Sequence, residues 1–210
     1  MKKTLLLCTA LAILLTAAAP SAASDPTPAR LVETLHAALL AAMQSGDRLS
    51  CAQRFEKLLP VVRGCFDFTF IARLAVGRHW RRLTDPQRRA LVTALTRMSA
   101  ATYARNFDSF SGQRFETLET RQTKETKAVV RTLLITAGDK IDLNYICRKT
   151  EDGWKIVSVA ARGVNDLSMK RAEYTRFLKD HDIAELIEKI DAKTDKCTRE
   201  VGAAGKEGAS

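Results

Sequence analysis

The chain has 210 residues, with 34 Lys and Arg against 24 Asp and Glu and a formal net charge of +10 at pH 7. The basic residues are spread along the whole length without a stripe of regular aromatics, so they describe a solvated face drawn to acidic surfaces such as anionic lipid, not a nucleic-acid groove. Beyond the first residues no apolar run approaches the roughly 20 residues of a membrane-spanning helix, which excludes a membrane bundle.

Met1-Lys2-Lys3 is a short cationic start, Thr4 to Ala19 is almost wholly apolar, and Ser21-Ala22-Ala23-Ser24 are small. This is the layout of a signal peptide over residues 1–23, cleaved after Ala23 or Ser24. Cys8 follows the bulky Leu7 inside the apolar run and reads as an ordinary leader residue. Loss of Lys2 and Lys3 lowers the formal charge to about +8 and leaves one exported domain over residues 24–196. The small, polar stretch from residue 197 to 210 reads as a disordered tail.

Leu31, Leu35, Ala38, Leu39 and Ala42 recur at helical spacing and predict a first helix over Pro28–Gln44. A second covers Ser50–Leu59 and stops before Pro60, and a third covers Asp67–Val76 and is ended by Gly77. Thr84-Asp85-Pro86-Gln87 offers a capping oxygen, a first-turn proline and an amide three residues on, so a fourth helix runs from there to Phe107. Leu91, Leu95, Met98 and Thr102 lie along one side of it. From Gln113 the period changes to two. Arg114–Thr123, Lys127–Thr136, Lys140–Thr150 and Trp154–Arg162 predict four strands, with tight turns at Gly138-Asp139 and Asp152-Gly153. Two helices close the domain, capped by Asn165 and Asp182. The expected class is α+β: about four antiparallel strands, one face covered by about six helices.

Chemistry is scarce in this chain. There is no GxSxG elbow, no HExxH and no phosphate-binding glycine loop. His36 reads as a helix-surface residue, His79 as a neighbour of Arg78, Arg81 and Arg82, and His181 as part of an Asp-His-Asp junction. Asp67 stands where a helix begins, and an N-cap role competes with that of a general base lacking any partner at motif spacing. Cys51, Cys65, Cys147 and Cys197 have no CxxC spacing. Export permits disulfides in three connectivities, Cys51–Cys65 being the nearest neighbours, and four buried thiols are the competing reading. The aromatics fit either a filled core or an apolar cavity between sheet and helices, and periodicity does not separate the two.

The stretch from Arg54 to Leu91 carries Arg54, Pro60, Phe66, Asp67, Ala72, Gly77, Trp80, Leu83, Thr84 and Gln87. In that order it resembles the MlaC, or toluene-tolerance, family of periplasmic phospholipid-transport proteins. Gly153-Trp154-Lys155, Gly163-Val164, Arg171 and Tyr174 extend the likeness, which spans Leu31 to Ile190. "NDLSMKRAEYT" departs from the usual continuation and, with "YARNFDSFSGQRF", is similar to the hopanoid-biosynthesis-associated, HpnM-like branch.

The resemblance implies a non-enzymatic periplasmic carrier of phospholipid or hopanoid, with no cofactor beyond the lipid as cargo. It implies partners in an inner-membrane ABC transporter complex and an outer-membrane lipoprotein complex, transient contact with membrane surfaces, and no nucleic acid. Lipid tails would enter between sheet and helices, against Phe70, Leu74, Tyr103, Phe107, Leu133, Leu143, Tyr145 and Val159. Two alternatives stand beside this: an envelope scaffold with a filled core, and a lipid-modifying enzyme using Asp67 or His79 as base.

Overall fold

The structure, a computed structural model, describes residues 27–199. The expected signal peptide and most of the expected tail lie outside the described residues. Four helices come first: α1 (Pro28–Ser45), α2 (Cys51–Cys65), α3 (Phe68–Val76) and α4 (Asp85–Asn106). Five strands follow: β1 (Arg114–Lys124), β2 (Lys127–Ile135), β3 (Lys140–Thr150), β4 (Gly153–Ala161) and the two-residue β5 (Val164–Asn165). Helices α5 (Asp166–Phe177) and α6 (Ile183–Thr198) complete the α+β domain, and short 3₁₀ turns occupy Gly46–Arg48 and Gly77–Arg82.

The helix starts are set by their caps. Thr84 Oγ1 accepts from the Gln87 backbone N–H at 3.4 Å while the Thr84 N–H donates to Gln87 Oε1 at 2.9 Å. Ser50 with Gln53 and Asp182 with Glu185 form the same reciprocal box, each cap contributing about 1 kcal/mol. Gly77 ends α3 at φ +56°, a conformation that a side-chain-bearing residue adopts only at a cost. The expected stop of α2 at Pro60 does not occur, and the helix continues to Cys65. Pro60 and Glu56 are both exposed, so the carbonyl that loses its helical partner can bond to water.

One half of the domain is helix on helix. Phe55, Leu58 and Val62 of α2, Leu91 and Leu95 of α4, and Leu186 and Ile190 of α6 are all buried. Ala100, Ala101 and Ala104 of α4 have no exposure, and such small side chains let neighbouring backbones approach closely. Arg54 is buried, and its guanidinium donates to the carbonyls of Ala104, Gly46 and Leu49, tying α2 to the end of α4 and to the turn after α1.

A disulfide closes this half, joining Cys51 to Cys197 with Cα atoms 5.2 Å apart. The expected pairing of Cys51 with Cys65 is therefore wrong: they stand at opposite ends of α2, about 20 Å apart at the helical rise. Cys65 and Cys147 remain as buried thiols. Cys197 belongs to α6, which runs to Thr198.

The sheet is antiparallel throughout, in the order β1-β2-β3-β4-β5. Ala128, Val130, Thr132 and Leu134 of β2 and Leu143, Tyr145 and Cys147 of β3 form its buried face. β1 is nearly all exposed and carries two register irregularities, features that blunt an edge strand. The opposite edge, at β4, is covered by β5 and by Phe66, which bridges to Ile156. Helix α1 lies against β1, β2 and β4, whereas α4 stands off from the strands.

Candidate functional site

The gap between α4 and the sheet is a cavity of about 600 Å³, within the range of ligand pockets. Its floor is Leu134, Leu143, Tyr145 and Val159, on alternate positions of three neighbouring strands. Its roof is Leu95, Met98, Thr102 and Tyr103 at helical spacing on α4, with Phe68 and Ile71 from α3. Ring contacts run along one side: Phe66 to Phe68 at 5.5 Å, Phe66 to Tyr103 at 6.2 Å and Tyr103 to Phe107 at 5.9 Å between centroids.

Arg162, Asp166 and Lys170 are the charged residues of the wall, and the rest of it is neutral. Burial pushes the Tyr103 and Tyr145 phenols upward, so both stay neutral. Tyr145 Oη lies 2.9 Å from Nε2 of His36, which stacks on Phe115 at 3.9 Å. His36 is buried, not on the helix surface as expected, and burial lowers its pKa to about 4. It is therefore uncharged near neutral pH. Two cations reach the opening, and each has a carboxylate: Lys170 pairs with Asp166 at 3.0 Å and Arg162 with Asp139.

The exposed lining residues Asn106, Ser109, Ala161, Arg162 and Val164 mark the rim. Arg162 and Gly163 both have positive φ, the geometry of a tight hairpin between β4 and β5. The Arg162 backbone N–H, donating to the Asp142 carbonyl at 3.1 Å, helps hold that turn. Asp166 fixes the start of α5 beside the rim by accepting from the Val159 backbone N–H at 2.9 Å.

Of the eight residues expected on the wall, Tyr103, Phe107, Leu143, Tyr145 and Val159 come together here. Leu133 does not: it is opposite Asp142 on the other face of the sheet, and its neighbour Leu134 takes the place. Phe70 and Leu74 line a separate hollow on that other face, because α3 turns Phe68 and Ile71 toward the cavity instead. Phe68 and Ile71 were legible as an i, i+3 pair, and Leu95, Met98 and Thr102 as the apolar side of α4. Met43 continues the i, i+4 series of Leu35 and Leu39 at the end of α1.

Asp67 is occupied structurally. Its Oδ1 accepts from the Phe70 backbone N–H at 2.9 Å and its Oδ2 from Arg148 Nη1 at 2.7 Å. His79 lies in the 3₁₀ turn among the arginines, where Trp80 packs with Arg88 5.4 Å from its ring centroid. Burial raises the Cys65 thiol to about 11 and Cys147 to about 12, so neither is an available nucleophile. Among the described residues no cluster of His, Cys, Asp and Glu could hold a metal ion, and no helix is long and apolar enough to cross a membrane. A wider and more open hollow of about 970 Å³ lies beside Asp67 and is bordered by Arg63, Glu151, Asp152 and Lys155 of both signs.

None of the curated proteins is similar enough to count as a match. Among solved structures, a phospholipid-binding protein from Ralstonia solanacearum, determined in complex with a phospholipid, has the same fold. The two superpose with a TM-score of 0.68 at 20% identity, covering 80% of this chain and 96% of that one. The family model described as MlaC protein matches residues 33–192, from the second turn of α1 into α6. A match over that span takes in every strand and the whole cavity, and the chain belongs to the MlaC family.

Proposed function

We propose that the protein is a periplasmic lipid carrier, not an enzyme, that shields acyl or polycyclic hydrocarbon in the cavity under α4. The observation that carries this is the largely apolar gap of about 600 Å³ between α4 and the sheet, opening at a polar rim. Withdrawing hydrocarbon from water gains about 0.8 kcal/mol per CH₂, so two long chains supply on the order of 20 kcal/mol gross before ordering costs. Such binding needs no catalytic group. The cargo class is phospholipid or hopanoid, with its polar head at Asn106, Ser109 and Arg162. The carrier exchanges it with an inner-membrane ABC transporter complex and an outer-membrane lipoprotein complex. Family membership and the phospholipid-bound relative of the same fold support this reading.

Organic extraction of the purified protein, followed by lipid mass spectrometry, tests the proposal. The expected result is a near-stoichiometric membrane lipid, and its class decides between the two cargoes. An extract without lipid, from protein that also fails to take up apolar fluorophores, overturns it.

A further inference from the structure

The residues that the fold turns away from the cavity form a second hollow, of about 520 Å³, between α3, α5 and the outer face of β3 and β4. Its floor is apolar: Phe70 and Leu74 are one helical turn apart on α3, Ile146 is on β3, and Leu167 is on α5. Val157 completes it. The β3–β4 register shifts between Ile146 and Cys147, leaving Val157 without a partner as the extra residue of a bulge, and Val157 lines this hollow. Ile146 keeps its regular place beside Asn144 and Arg148 on the outer face of β3, and its apolar side chain there faces this second hollow.

The border of the hollow is cationic. Lys127, Arg148, Lys149 and Arg171 reach it, and among the described residues no Asp or Glu lines it. Arg148 is held in place, its guanidinium 4.7 Å from the Phe70 ring centroid and one Nη bonded to Asp67. A guanidinium has five N–H donors, so this contact leaves donors for an anion. Arg171 is exposed and has no carboxylate partner among the described residues. Both cations at the rim of the inner cavity are paired with carboxylates, as Arg148 is with Asp67, whereas Arg171 has no such pair among the described residues.

We propose that this outer hollow is a second binding site, for a single-chain anionic amphiphile whose carboxylate or phosphate head lies on Arg148 and Arg171 and whose tail covers Phe70, Leu74, Ile146, Val157 and Leu167. The site is independent of the cavity: the sheet lies between them, and the two have no lining residue in common.

The test is titration of the full folded protein with cis-parinaric acid, a fluorescent fatty acid, with 1-palmitoyl lysophosphatidic acid and hexadecanol as competitors. Wild type binds the probe saturably without releasing lipid from the cavity, and Arg171→Glu weakens binding by about tenfold or more. The cavity variant Leu143→Arg leaves it unchanged. Leu74→Glu abolishes it, and the exposed position of Arg171 keeps the test open if Leu74→Glu does not fold. The stronger competitor identifies the head as carboxylate or phosphate, while equal competition by hexadecanol overturns the anionic part. Binding lost in Leu143→Arg but retained in Arg171→Glu overturns the site, as does capture of an acidic peptide with no amphiphile bound.

Discussion

The two halves of the domain solve opposite problems with the same helix. On one side α4 meets α2 and α6 through Ala100, Ala101 and Ala104, with no exposure and a disulfide across the bundle. On the other it meets the sheet through Leu95, Met98, Thr102 and Tyr103, and a gap of about 600 Å³ remains. The alanines let α4 approach α2 and α6 closely, whereas bulkier side chains of α4 line the side toward the sheet. The lesson is that the packed side supplies the stability that lets the other side stay open.

Breaking the packed half has the largest expected effect. Removing the Cys51–Cys197 bridge by Cys51→Ala with Cys197→Ala frees a 146-residue separation in the unfolded chain. It costs about 2–5 kcal/mol, measured as a lower urea midpoint under oxidising conditions.

Acid is expected to loosen the boundary between α1 and the sheet by a similar amount. His36 has a pKa of about 4 when folded and the ordinary 6.5 when unfolded. Between those values the unfolded chain binds the extra proton, so this contribution is complete above pH 6.5 and is lost as pH falls toward 4. The loss is about 3 kcal/mol in total, and His36→Phe flattens the pH dependence of the urea midpoint in that window.

Filling space then separates the halves directly. Ala101→Leu overpacks the bundle and costs about 1–3 kcal/mol in denaturant titration, with retained lipid little changed. Val159→Phe costs less because the cavity accepts the added volume, and its effect is reduced lipid in extracts. A substitution on either side that moves both readouts equally would break the distinction. The smallest expected effect is at a cap: Thr84→Ala removes the oxygen that starts α4 and costs about 1 kcal/mol by thermal unfolding.

Much of this architecture was legible locally. Thr84, Asp67, Asn165 and Asp182 each mark a helix start by their own side-chain bonds, and Gly77 marks a stop. Alternation located the four long strands and put Leu143 and Tyr145 on one face. Tertiary placement escaped the same reasoning. Nothing in the spacing of His36 distinguishes a surface from the underside of α1, because its partner Tyr145 is 109 residues away. Leu133 and Leu134 are equally apolar, and only strand register assigns one to each face. Phe70 and Leu74 share a helix with Phe68 and Ile71, and a helix with apolar residues on two sides does not say which side meets the cavity. Proximity along the chain favoured Cys65 as the partner of Cys51, but an unbroken α2 holds them apart. β5 is only two residues long, too short for alternation to reveal.

The central claim is that the gap under α4 holds hydrocarbon cargo. Native mass spectrometry of wild type beside Leu143→Arg, both checked for folding by circular dichroism, tests it most directly. The account predicts a wild-type population shifted by the mass of one lipid and a folded variant without that shift. Lipid retained by the folded variant, or wild type at its bare mass when prepared from membrane-rich cells, would contradict it.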